Sequence, residues 1–311
     1  MKQFLLRIVL PLLLVIGFTL AASEVVLHVV SNQYRYKANY MDHHAQQVKI
    51  LVLGSSGTNR GIRPSLFSLQ PAFSCAGSSQ DLQNDCWILH QYLPRMDSLR
   101  YVVLNLNYLT MLHNIDYIED HRALWTKYRI YYGNTHYSAK WWQYAEISRF
   151  NWMEAVKYLT ERDTLRPDGS MTPTATPYDD NEWRYYAEAM SEYHTRLNTE
   201  SAGEILNQNT IYLKDIIVSC LERNINVILL TCPEHAYYRN ALDRQQLALM
   251  QSVGNEMQAK YPNVRYINLS ADPHFDASDM VNANHLNSQG AAKLTLMLND
   301  SIALWEQLSV L

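Results

Sequence analysis

Short apolar runs that stop on small or polar residues alternate along this chain with longer amphipathic stretches. Ile50-Leu51-Val52-Leu53 halts at Gly54-Ser55-Ser56-Gly57. A shorter run over Phe67–Phe73 leads into Ser74-Cys75-Ala76-Gly77-Ser78-Ser79. Tyr101-Val102-Val103-Leu104 closes on Asn105-Leu106-Asn107, and Asn226–Thr231 closes on Cys232-Pro233. Val264–Leu269 runs into a loop rich in Asp and Asn. Between these runs lie helical spacings: Leu82, Cys86, Leu89 and Leu93 within Asp81–Leu93, then Glu204–Arg223, Arg239–Lys260 and a closing helix towards Leu308. Runs that are apolar throughout predict strands buried on both faces, as in a parallel sheet. Their alternation with helices predicts an α/β three-layer sandwich with a flavodoxin-like parallel sheet of about five strands.

Two regions break this rhythm. Residues 1–30 place Lys2 and Arg7 ahead of an apolar run from Ile8 to Ala22, which resumes at Val25-Val26-Leu27. That pattern is an export signal or a membrane anchor, and the basic flank sends the remainder of the chain outward. Thr19-Leu20-Ala21 would serve as a cleavage site. The full apolar length approaches the roughly 20 residues that span a bilayer, so an uncleaved anchor in the cytoplasmic membrane is the expectation, and secretion after cleavage the alternative. Residues 31–47 read as a polar juxtamembrane linker, and 48–311 as the folded domain. Within it, residues 111–201 lose strand alternation and crowd in rings, among them Trp125, Tyr128, Tyr131, Tyr132, Trp141, Trp142, Tyr144, Trp152 and Tyr158. This reads as a mainly helical insertion, with Pro167–Pro177 as a loop. Its rings either face a carbohydrate or pack the insertion onto the core.

Composition narrows the function. Apolar residues make up 48% of the chain, enough for a sizeable core, and the formal net charge is −4 with Lys and Arg dispersed. That excludes a nucleic-acid footprint. Cys75, Cys86, Cys220 and Cys232 form no Cys-x-x-Cys pair, and His113, His121, His235 and His274 stand singly, so neither metal nor cofactor is expected. Cys75 and Cys86 could pair in an exported protein, or stay as small buried residues. No phosphate-binding Lys follows the Gly54–Gly61 turn, and no dinucleotide fingerprint follows the first strand.

What remains is an inventory for acyl chemistry at the ends of three strands. Ser56 would attack a carbonyl, and His285 would take its proton and return it to the leaving group. The backbone N–H groups of Ser56 and Gly77, with the Asn107 side-chain amide, would hold the oxyanion. Ser55 is a rival nucleophile. Gly54-Ser55-Ser56, Cys75-Ala76-Gly77, Asn105-Leu106-Asn107 and His285-Leu286-Asn287 before Gly290, in that order, resemble the SGNH (GDSL-type) hydrolase superfamily. Ser55 stands for the Asp of its Gly-Asp-Ser. The likeness is greatest to membrane-anchored SGNH-like proteins of bacterial envelopes, related to periplasmic polysaccharide O-acetyltransferases and to the D-alanyl transfer protein of teichoic acid synthesis. The resemblance implies an SGNH-hydrolase-like fold, a serine acyl-enzyme, an envelope polysaccharide or other acylated carbohydrate as substrate, and a membrane-embedded acyl donor protein as a partner.

Three positions depart from the pattern. Gly57 stands where such proteins often carry His. Asn282 stands where the resemblance puts the acidic triad member, and Asn284 replaces a second Asp. An asparagine can orient an imidazole but cannot stabilise its charge. Asp279 or Asp276 could supply the acid instead. Failing that, the site is a Ser–His dyad, or it is impaired and the protein binds polysaccharide or a membrane acyltransferase without turnover. A secreted lipase or peptidase is the third reading.

Overall fold

The structure is a computed structural model that describes residues 2–29, 32–118, 122–136, 145, 164–172 and 180–308. Five strands form one parallel sheet: β1 (Ile50–Leu53), β2 (Ala72–Ser74), β3 (Tyr101–Asn105), β4 (Asn226–Thr231) and β5 (Val264–Asn268), in the order β2-β1-β3-β4-β5. The second strand is shorter and later than its apolar run, because Gln70-Pro71 precedes it and Pro cannot donate to the ladder.

Side-chain alternation splits the core into two apolar layers. Leu51, Leu53, Val102, Leu104, Val227 and Leu229 enter one layer. Ile50, Val52, Tyr101, Val103, Ile228 and Leu230 enter the other. Each is covered by helices, which is why the strand runs carry no polar face. The first layer is closed by α2 (Gln33–His44), α4 (Leu82–Tyr92), α5 (Arg122–Tyr132), α7 (Ala202–Leu221) and α9 (Arg244–Lys260). The second is closed by α3 (Ser56–Gly61), α6 (Asp180–His194), α8 (Ala236–Ala241) and α10 (Ser288–Leu308). A small antiparallel pair, β6 (Met280–Asn282) and β7 (His285–Leu286), precedes α10.

The N-terminal helix α1 (Lys2–Val29) is long and apolar enough over Leu6–Val25 to cross a membrane, and none of that segment is buried in the domain. The linker expected at 31–47 is corrected. Asn32 caps α2 through its side-chain oxygen, and Tyr34, Lys37, Ala38 and Met41 of that helix are buried. Its polar residues hid an apolar stripe at helical spacing.

Much of the aromatic insertion, including Trp141, Trp142, Tyr144, Trp152 and Tyr158, lies outside the described residues. Four of the described rings take the packing role. Tyr128 and Tyr132 are buried in the first layer, and Trp125 and Tyr131 pack against it.

Candidate active site

The site is built where β1, β3 and β4 end, beside the point at which strand order reverses between β1 and β3. Gly54 turns the chain at φ +111°, and its N–H donates to the buried Asp85 carboxylate at 2.7 Å. A Cβ there would meet Asn105 Cβ at 2.3 Å. Only glycine accepts both the left-handed backbone and the close approach. Gly54→Ala is therefore expected to lose at least about 2 kcal/mol of stability, from backbone strain and overpacking together. Chemical denaturation would measure it, and an unchanged midpoint would refute the steric argument.

Beyond that turn, Ser55 caps α3 and Ser56 is its first residue. Ser56 Oγ lies 2.7 Å from His285 Nε2. On the other side of the ring, His285 Nδ1 lies 3.0 Å from Asn282 Oδ1. The pairing of β6 with β7 sets Asn282 opposite His285. The Asn284 N–H also donates to Asn282 Oδ1, at 3.2 Å. That donor identifies the Asn282 atom facing the ring as the oxygen, so Nδ1 carries the proton and Nε2 presents its lone pair to Ser56.

Ser55 is committed elsewhere. Its hydroxyl donates to Asn105 Oδ1 at 2.8 Å and accepts from Asn107 Nδ2 at 3.3 Å. Asn107 is locked in turn, because its Oδ1 accepts from the N–H groups of Leu109 and Thr110 and from the Thr110 hydroxyl. That leaves its amide end turned to the serine turn. Ser56 N–H sits at the first position of α3, where no intrahelical acceptor exists.

Two expected roles are corrected. The Gly77 N–H donates to the Gly54 carbonyl at 2.9 Å, so it holds the turn together instead of facing a ligand. A Cβ on Gly77 would meet Gln80 Oε1 at 2.9 Å and the Tyr128 hydroxyl at 3.3 Å, both interior groups. Its neighbours Ser78 and Ser79 line the pocket. The candidate acid Asp279 does not reach His285. Its carboxylate is 0% exposed, pairs with Lys293 Nζ at 2.6 Å and accepts the Asp276 N–H at 3.3 Å. Asp276 is turned to Ser278. Asn284, the third departure, accepts from the Tyr186 hydroxyl at 3.1 Å. At Gly57 a Cβ would meet Asn105 Nδ2 at 3.3 Å, a tight contact with the residue that holds Ser55.

Ser56, His285 and Asn107 line a pocket of about 380 Å³ with Arg60, His194, Tyr238 and Glu234. Burial pushes the His285 imidazole well below its usual range, and Arg60 and His194 push the same way. The ring is thus neutral at pH 7 and available as a base. Glu234 is 8% exposed on the loop after β4. Burial drives its carboxyl up to about 8, with Arg239 opposing, so it is mostly protonated at neutral pH. The sequence reading missed Glu234, Asp85 and Asn105. The only sign of Asn105 was its place one pleat before Asn107.

Cys86, His90 and Asp215 bring three ligand-type atoms within 4.8 Å of one another, on α4 and α7 and outside the pocket lining. His90 Nε2 and Cys86 Sγ both hydrogen-bond Asp215 Oδ2. Cys75 and Cys86 are free, buried thiols.

No family model matches the sequence, and no curated protein matches it either. Among solved structures, the chain is similar to a protein of Streptococcus pneumonia provisionally described as a platelet activating factor, with a TM-score of 0.43 and 11% identity over 90% of this chain and 98% of that one.

Proposed function

We propose that this protein performs acyl-ester chemistry through a Ser56 acyl-enzyme, as an O-acyltransferase or esterase acting on a cell-envelope polysaccharide. The observation that carries the reading is the Ser56–His285–Asn282 chain, with a neutral imidazole whose free lone pair faces the hydroxyl. Ser56 Oγ attacks the ester carbonyl carbon while its proton passes to His285 Nε2. The Ser56 N–H and the Asn107 amide take the charge that develops on the carbonyl oxygen. The tetrahedral centre collapses, the leaving alkoxide receives the proton from Nε2, and Ser56 retains the acyl group. An acceptor hydroxyl then gives its proton to Nε2, attacks the acyl carbon and restores Ser56. A sugar hydroxyl makes this transfer, and water makes it hydrolysis.

The helix α1 supports tethering of the domain at the membrane, on its outer or periplasmic face, where envelope polymers are exported and a membrane-embedded protein could supply the acyl group. The test is the full-length protein in detergent with p-nitrophenyl acetate. The expected result is a burst of nitrophenol and an acetyl adduct that peptide mapping places on Ser56. Folded protein that yields neither would sink the proposal.

Asn282 favours a second reading. With an amide in place of a carboxylate, the imidazolium formed on attack lacks a charged partner. A protein that binds polysaccharide without turnover would show saturable binding that survives Ser56→Ala, and no adduct in the wild type.

A further inference from the structure

Lys37 lies on α2, four residues past the start of that helix, and is 1% exposed. Its ammonium donates to Gln33 Oε1 at 3.2 Å, to Asn59 Oδ1 at 3.0 Å and to the Ala76 carbonyl. Asn59 sits on α3, three residues after Ser56. Ala76 immediately precedes Gly77, whose N–H holds the Gly54 carbonyl. Both walls of the serine turn therefore hang on one nitrogen, and that nitrogen belongs to the helix that follows the membrane-spanning segment.

We infer that Lys37 is a positioning residue for acylation: its ammonium ties the membrane-proximal helix to the Ser56 helix and to the loop after β2, and the site is competent while Lys37 keeps its proton. This rests on the Ser56 acyl-enzyme reading and adds a control to it. The geometry selects the protonated form. An ammonium has three N–H donors, and three acceptors surround it. A neutral amine has two donors and a lone pair, which would face one of those oxygens and leave it unpaired in a buried place.

The groups around Lys37 keep this control within reach of neutral pH. Burial draws the ammonium down to about 7, while Cys75 and Asp168 pull it up. Burial pushes the Cys75 thiol up to about 12, so it stays neutral. Asp168 stays charged, since hydrogen bonds from Ser170 and Ser65 outweigh its burial. On α5, which packs against α2, Tyr128 and Tyr132 are held well above their usual range by burial and remain neutral. Rising pH thus strips Lys37 ahead of the Cys75 thiol and the two tyrosines. Asp85, pushed up to about 7 by burial, loses its proton in the same range, but its carboxylate then accepts the Gly54 N–H more strongly, so it does not produce an alkaline loss. Acylation should fall on the alkaline side near pH 7, while His285 sets an acid limb below its ordinary 6.5.

The experiment follows labelling of Ser56 by a fluorophosphonate, in full-length protein in detergent, from about pH 5 to about pH 9. In that reaction the Ser56 Oγ–P bond forms, fluoride leaves, and the serine proton passes through His285 to solvent. Wild type should give a bell-shaped profile. Lys37→Met should label about ten- to a hundredfold more slowly at the optimum, the loss that follows from a small displacement of a reacting atom. It should keep the acid limb and lose the alkaline one. Lys37→Gln, which restores two donors, should recover part of the rate without the alkaline limb. Equal rates and profiles in folded wild type and Lys37→Met would overturn the Lys37 role and leave the acyl-enzyme reading standing. No labelling of folded wild type would remove both. If neither variant folds, Glu234→Gln decides, because Glu234 is a pocket group that titrates nearby: an alkaline fall near pH 7 that persists in that variant supports the role, and a profile without it overturns the role.

Discussion

Ser56→Ala is expected to abolish the acyl adduct, and His285→Ala to slow acylation by at least about a thousandfold, the scale on which loss of a general base is felt. The two side chains meet at 2.7 Å across 229 positions of sequence. Without Nε2 the serine hydroxyl has no acceptor for its proton at neutral pH, and the hydroxyl itself is a weak nucleophile. Ser55→Ala separates the rival from the nucleophile. Ser55 holds Asn105 and Asn107, so its loss should slow acylation by roughly tenfold through misplacement of Asn107, yet leave the adduct on Ser56. Intact mass and peptide mapping after reaction with p-nitrophenyl acetate would check all three variants. An adduct that persists in Ser56→Ala and vanishes in Ser55→Ala would reverse the assignment.

Asn282→Asp should raise the acylation rate by roughly ten- to a hundredfold and move the acid limb of the pH profile upwards. A carboxylate in that place keeps the acceptor for His285 Nδ1 and for the Asn284 N–H. It adds a negative charge against the imidazolium that forms as Ser56 attacks. A carboxylate at this distance raises an imidazole pKa by about one to three units, against the burial and the two cationic neighbours that now depress it. The gain stays below the roughly ten-thousandfold loss known for the reverse change in a serine protease, because that loss comes from the wrong tautomer. Here the tautomer is already set by the Asn282 oxygen. Stopped-flow acylation across pH would measure both effects. A rate that falls in folded Asn282→Asp would show that charge at this position is not what limits the site, and would favour the binding reading.

The parts of the site that were legible in the sequence are those that local pattern controls. Strand ends carry their side chains at a fixed period, so Ile50–Leu53 running into Gly54-Ser55-Ser56 announces a serine at the carboxyl edge of a buried strand. The Asn282-x-x-His285 spacing likewise survives as a cross-strand pair of a tight hairpin. Asp279 was a reasonable acid by proximity in sequence. Whether it faced the ring depended on Lys293 of α10, fourteen residues away, whose ammonium holds Oδ2 of the buried carboxylate. Gly77 failed as an oxyanion donor for a similar reason: its N–H is taken by the Gly54 carbonyl, 23 positions earlier, once the loop after β2 docks on the turn after β1. The polar look of residues 31–47 concealed α2, because Lys37 reads as a surface residue until Asn59 and Ala76 close around it.

The sequence by itself determined the α/β alternation, the burial of the strands on both faces, the apolar N-terminal helix and the serine at the first strand's end. These follow from periodicities of two and of about 3.6 residues, which backbone geometry imposes wherever the chain sits. Only the tertiary structure decided which of two adjacent serines meets the imidazole, which asparagine oxygen orients it, and which amides are already occupied. The serine and amide questions turn on hydrogen-bond partners 23 to 229 residues apart. Each buried donor or acceptor can be satisfied in several ways until packing leaves one within reach.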